Sequence, residues 1–101
     1  MGIFSRRLNE VRRESRLSQE RLGILAGIDE ATASARLNQY EKGRVEPNFD
    51  TLSRIAIVLN IPVSYFFEEN DEIAWLIKAL YRADELQRQS VLSHAKWILS
   101  R

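Results

Sequence analysis

The chain has 101 residues, a formal net charge of +1, 45% hydrophobic and 29% charged residues, and no cysteine. That length allows one domain, or one small domain with an appendage, and the hydrophobic fraction is large enough to bury a core. Without cysteine there are no disulfides, no cysteine-ligated zinc and no thiol chemistry, which fits a reducing cytoplasm, and no apolar run approaches the ~18 residues of a membrane span.

In chain order the pattern is helical throughout, with no strand-like alternation and no internal repeat. Arg6 and Arg7 are followed by no apolar stretch, so a signal peptide is not expected. The Met-Gly start has Arg6 where an acylation signal wants Ser or Thr. A first helix is predicted over 4–15, with Phe4, Leu8 and Val11 forming one stripe at i, i+4, i+7. A second is predicted over 18–26, with Ser18 as N-cap and Leu22 and Ala26 one turn apart on its inner face. Gly27 suits the helix end, and Asp29 is expected to cap a third helix over 30–41. Two helices joined so tightly cross steeply and leave one end of the second protruding, a shape that suits the major groove of DNA, about 12 Å wide.

Gly43 and Pro47 break the chain into a loop over Lys42–Asn48. Asn48 is expected to cap a fourth helix over 49–59, with Leu52, Ile55, Ala56 and Leu59 inward, and Ile61-Pro62 ends it. A short helix over 63–68 carries Tyr65, Phe66 and Phe67. The charged run Glu68-Glu69-Asn70-Asp71-Glu72 marks a boundary between residues 1–67 and 68–101. Two helices follow, over 72–82 and 85–100, joined at Ala83-Asp84. The first has Ile73, Leu76, Ile77 and Leu80 on one side; the second carries Val91, Leu92, Ala95, Ile98 and Leu99. A two-helix hairpin cannot bury its own stripes, so it must dock on residues 1–67 or on a second copy.

Ser18-Gln19-Glu20, Leu22, Ala26-Gly27, Tyr40-Glu41-Lys42-Gly43, Pro47, Thr51-Leu52, Ile55-Ala56, Leu59 and Ile61-Pro62, in that order and spacing, resemble the helix-turn-helix of the lambda-repressor or Xre-like family. The resemblance covers residues 3–67. It implies an all-α fold, a five-helix lambda-repressor-like DNA-binding domain over 1–67, here followed by a C-terminal two-helix hairpin. The chain departs from the family between Gly27 and Glu41, where it carries about four extra residues, close to one helical turn. Either the recognition helix is about one turn longer than usual or the turn before it is enlarged.

The resemblance implies which residues meet DNA. Leu37 and Tyr40, with Ala33, match the inward positions of the recognition helix. Thr32, Ser34, Ala35, Arg36, Asn38 and Gln39 are then the outward, base-contacting set. Arginine can bind guanine N7 and O6 with two bonds, and asparagine or glutamine can do the same for adenine. The phosphate-contacting set is Ser18 and Gln19 at the start of the second helix, Lys42, Arg44 and Asn48 after the recognition helix, and Arg6 and Arg7. Residues 1–21 hold six arginines against three glutamates, a local basic cluster. Taken singly, each is as well explained as a solvated polar residue; the set together points to DNA. Ile24 and Leu25 are apolar where the family exposes polar residues. Ala31, Ala33 and Ala35 are small enough to lie against them, and the alternative is an exposed patch for a partner.

Nothing else carries chemistry. His94 has no second His or Cys to complete a metal site, and Trp75 and Trp97 read as packing anchors. Glu68, Glu69, Asp71 and Glu72 lack the spacing and glycine of a calcium loop. No nucleophile–base pair or phosphate loop is present, so no enzyme, metal or cofactor is expected. The expected function is a cytoplasmic, prokaryotic or phage DNA-binding transcriptional regulator, most simply a repressor on a two-fold double-stranded operator. Its homodimer would form through Ile73, Leu76, Ile77, Leu80, Val91, Ala95, Ile98 and Leu99. The alternative is an antitoxin or phage-control protein of the same fold whose residues 68–101 bind another protein. RNA is disfavoured because the A-form major groove is too narrow for a helix.

Overall fold

Helical periodicity organises the whole chain, and the computed structural model, which describes residues 2–100, has six α-helices and no strand among them. Met1 and Arg101, the outer ends of the two expected segments, lie outside the described residues. The helices are α1 (Ile3–Glu14), α2 (Gln19–Leu25), α3 (Glu30–Glu41), α4 (Phe49–Leu59), α5 (Asp71–Arg82) and α6 (Glu85–Leu99), with a 3-10 turn at Val63–Phe67. Each starts and stops within two residues of the limits predicted from capping residues and breakers. Ser18 Oγ accepts from the Arg21 N–H at 3.0 Å and Asn48 Oδ1 from the Thr51 N–H at 2.8 Å. Asp84 and Gln87 form a reciprocal capping box at α6. Asp29 departs from expectation, since its side chain makes no cap hydrogen bond. Instead the Thr32 hydroxyl bonds back to the Asp29 carbonyl at 3.3 Å.

The apolar stripes of α1 to α4 converge on one core. Phe4, Leu8 and Val11 meet Leu22 and Ala26, Leu37 and Tyr40, then Ile55 and Leu59, with Phe66 wholly buried among them. The turn between α2 and α3 occupies residues 26–29, and α3 runs for 12 residues. Gly27, at φ +86°, closes α2: its N–H bonds to the Ile24 carbonyl and that of Ile28 to the Gly23 carbonyl, a Schellman end that needs the left-handed backbone. Arg54 of α4 donates to the Ala26 carbonyl at 2.7 Å and so ties the turn to the core.

The α2–α3 pair rests on a second glycine. A β-carbon at Gly23 would sit 2.8 Å from Ala33 Cβ, 3.0 Å from Leu37 Cδ2 and 3.1 Å from Ala33 Cα. Ala33 therefore packs against Gly23, whereas Ala31 and Ala35 are exposed. Ile24 is half-buried and Leu25 exposed, so this face of α2 is only partly covered.

Residues 68–101 form the expected two-helix hairpin, α5 and α6 joined at Ala83-Asp84, but only one of its helices is fixed to the rest of the chain. Helix α5 is fastened to α1: Arg7 donates to the Glu68 and Glu69 carbonyls and pairs with Asp71 at 3.0 Å, while Lys78 and Arg82 hold Glu14 at 2.5 and 2.6 Å. Ala74 is buried in the N-terminal core and Ile77 packs against it. Ile77 thus faces its own chain, contrary to its place in the expected dimerisation surface. Helix α6 has no buried residue and packs chiefly on α5. The molecule is long as a result, 52 × 26 × 22 Å, with a radius of gyration of 15.2 Å against about 13 Å for a compact chain of this length.

Gly23→Ala tests the helix pair. Overpacking costs about 1–3 kcal/mol, against up to about 1 kcal/mol gained from alanine's helix propensity. The net loss of about 1 kcal/mol should lower the melting temperature by about 5 °C in thermal circular dichroism. A variant that melts at or above the parent would show that α2 and α3 have room to separate.

Candidate nucleic-acid interface

Helix α3 has two unlike sides. Ala33, Leu37, Tyr40 and Glu41 are buried, while Ala31, Thr32, Ser34, Ala35, Arg36 and Gln39 are exposed and Asn38 is half-buried. This is the inward and outward division expected from the sequence. Ala31, Ala35 and Gln39, spaced i, i+4, i+8, form the line furthest from the core, flanked by Thr32 and Arg36 on one side and Ser34 and Asn38 on the other. The alanines keep the middle of that line low, so the polar side chains around it can approach a flat surface.

The C-terminal end of α3 is held by a carboxylate. Glu41 is buried, and it accepts from Arg12 Nε at 2.5 Å, Asn9 Nδ2 at 2.8 Å and Gln19 Nε2 at 3.1 Å. Burial alone would raise its pKa, but the hydrogen bonds from Arg12, Asn9 and Gln19 and the charge of Arg12 outweigh that and hold it below 4.5. Arg12 also donates to the Leu17 carbonyl at 2.7 Å, and Ser5 Oγ donates to the Tyr40 carbonyl at 2.9 Å. One side of α1 is thereby fixed to the ends of α2 and α3. Asn9 and Arg12 were not among the residues expected to matter. Their i, i+3 spacing beside the Phe4–Leu8–Val11 stripe was the available signal.

The expected phosphate set separates in space. Ser18 is exposed; its oxygen caps α2, which leaves its O–H able to donate. Gln19 commits one amide hydrogen to Glu41. Lys42, Arg44 and Asn48 are exposed around the loop after α3, with the Asn48 carbonyl occupied by its cap. Arg7 is only 3% exposed and bonded inward, so it cannot reach a phosphate; the structure corrects its place in the set. Arg6 is exposed but turned toward α5, pairing with Asp71 and Glu10. A polar recess between α1, α2 and α3 is lined by Asn9, Arg13, Gln19, Asn38 and Lys42 among others. Arg13 and Lys42 make no ion pair among the described residues, which makes Arg13 a candidate the sequence reading missed.

Among the described residues no group of His, Asp and Glu is placed to hold a metal, and no helix is long and apolar enough to cross a membrane.

A core-anchored helix pair with a polar face on its second member defines a helix-turn-helix protein. The profile of the helix-turn-helix family matches residues 8–66, and the chain belongs to that family, in its Xre or lambda-repressor branch of DNA-binding transcriptional regulators. It is similar to two uncharacterized HTH-type transcriptional regulators, from Sinorhizobium medicae (strain WSM419) and Rhizobium meliloti (strain 1021). Each is 40% identical over 53 residues, covering 52% of this chain and 35% of the relative. The chain thus spans about a third of the length of those two relatives. A crystal structure of the transcriptional regulator BswR is similar along nearly the whole chain, at a TM-score of 0.88, 35% identity and 95% coverage of both.

Glu41→Ala should strand Arg12 and cost about 3 kcal/mol. The pH dependence carries the sign. A carboxylate with a depressed folded-state pKa stabilises fully above its unfolded value of 4.5, and that contribution fades as pH falls through the folded value. Denaturation from pH 7 to 3 should show the parent losing stability below about pH 4.5 more steeply than the variant. Part of the acid loss should persist in the variant, because Lys78 and Arg82 likewise lower the pKa of Glu14.

Proposed function

We propose that this chain is a sequence-specific transcriptional regulator that represses by occupying a two-fold operator on double-stranded DNA as a homodimer in the cytoplasm. The observation that carries this reading is the division of α3, one side anchored in the core and the other an exposed polar face. In this reading Arg36, Asn38 and Gln39, with Thr32, Ser34 and Ala35, read base edges, and Arg13, Ser18, Gln19, Lys42, Arg44 and Asn48 hold the flanking phosphates. The exposed apolar residues of α5 and α6 supply the dimer contact, and two linked copies bind two half-sites with mutual avidity. A protein that repressed nothing and instead bound a different polypeptide through α6 would reveal itself by failing to enrich any duplex from a random DNA pool.

Arg36→Ala and Gln39→Ala should lower specificity more than affinity. Each bidentate base contact contributes about 1–3 kcal/mol of discrimination. Comparing an enriched operator with random DNA at one salt concentration measures this. Equal losses on both would remove these residues from base reading.

Arg13→Ala and Lys42→Ala should behave oppositely, weakening operator and random DNA alike. Each should also reduce the slope of log K against log salt by about one unit. Arg7→Ala should leave that slope unchanged, whatever it does to stability. An unchanged slope for both Arg13→Ala and Lys42→Ala would move the phosphate footprint away from the recess.

A further inference from the structure

Helix α6 has apolar residues on more than one side and buries none of them. Leu86 is 79% exposed, Trp97 63% and Leu99 81%, and α5 adds Trp75 at 63% with Ile73 and Leu76 beside it. A groove of about 690 Å³ runs between the two helices, walled by Trp75, Leu76, Leu80, Leu86 and Val91. It continues into a second of about 450 Å³ along His94, Ala95, Ile98 and Leu99, and the two share Ser90 and Val91. Arg82 is the one charged residue on these walls, and its guanidinium is already bonded to Glu14 and to the Leu59 and Asn60 carbonyls.

We infer that α6 of a second copy lies in this groove, with the two-fold axis close to Ser90, so that two hairpins interlock as a four-helix bundle. This rests on the homodimer reading above and adds its geometry. A groove without free charge wants an apolar helix with few charges. Helix α6 is such a helix, carrying only Glu85, Arg88 and Lys96, and Arg88 is already bonded to Glu85 and to the Tyr81 and Ala83 carbonyls. A helix apolar on more than one side is stable when buried on those sides, and α5 covers only one. A self-complementary contact covers the groove and its occupant in both copies at once. The area agrees: the exposed parts of Trp75, Leu76, Leu86, Val91, Ile98 and Leu99 on these walls leave roughly 600 Å² of largely apolar surface per copy. A standard interface takes about 800 Å² from each partner, a little over half of it apolar. Helix α6 then gains its buried face only in the dimer, and its folding is coupled to association.

The chain has no cysteine, so single cysteines report the geometry directly. Ser90→Cys in the full chain, oxidised at micromolar concentration, should run as a covalent dimer on a non-reducing gel. A disulfide needs Cα atoms within about 7 Å, which a two-fold axis at Ser90 provides. Lys96→Cys, on the side of α6 turned away from the groove, should stay monomeric on the same gel. Sedimentation of the parent chain should show a dimer, and tryptophan emission should shift to the blue as the dimer forms. A sedimenting dimer in which Ser90→Cys does not cross-link, or in which Lys96→Cys links equally well, overturns the interlocked arrangement and leaves the homodimer standing. A parent that sediments as a monomer at every concentration overturns both.

Discussion

The buried carboxylate of Glu41 is the contact on which the presentation of α3 depends. A negative charge near a helix C-terminus is opposed by the helix dipole, and a carboxylate out of water is opposed by desolvation. It is retained because Arg12, Asn9 and Gln19, from two other helices, supply its hydrogen bonds. The same bonds set the position of α3 against α1 and α2. In the proposed reading α3 meets base edges and needs a rigid mount, since an error of about an ångström loses a bidentate hydrogen bond. Here the mount is polar at one end, at Glu41, and steric in the middle, where Gly23 lets Ala33 and Leu37 approach.

Helix α1 is the hub. Its Phe4–Leu8–Val11 stripe enters the core, its Asn9–Arg12 edge holds α2 and α3, and its Arg7–Glu14 edge holds α5. A buried guanidinium is tolerated at Arg7 because two backbone carbonyls and Asp71 satisfy it, with the Tyr65 ring 5.7 Å away. One helix therefore links the exposed polar face of α3 to the base of the projecting hairpin. Because α5 is fastened to α1, the placement of a second copy on the hairpin would also set the separation of the two recognition helices, the quantity that fixes half-site spacing.

Several apolar side chains remain outside this scheme. Phe49 and Ile57 lie on the outer face of α4 and are largely exposed, as is Leu25 of α2. Scattered exposed apolar residues are normal on protein surfaces. Trp75, Leu76, Leu86, Val91, Ile98 and Leu99 of α5 and α6 differ in lining two adjoining grooves.

Much of this protein was legible from residue order alone. Caps at Ser18 and Asn48, breakers at Gly27, Gly43 and Pro62, and the i, i+4, i+7 stripes define the helices and their inner faces, because local backbone chemistry and periodicity are properties of neighbouring residues. The polar outer face of α3 follows from the same periodicity once Leu37 and Tyr40 are inward. The partners of charged residues were not legible. Arg6, Arg7, Arg12 and Arg13 look alike in a basic run, yet one is exposed beside Asp71, one is buried against carbonyls, one holds Glu41 and one lines the recess. Only the packing of α1 between distant segments separates them, since Glu41, the Glu68 carbonyl and Asp71, which bind Arg12, Arg7 and Arg6, lie 29 to 65 positions away. The same holds for Ile77, whose packing depends on which helix the tertiary fold brings alongside.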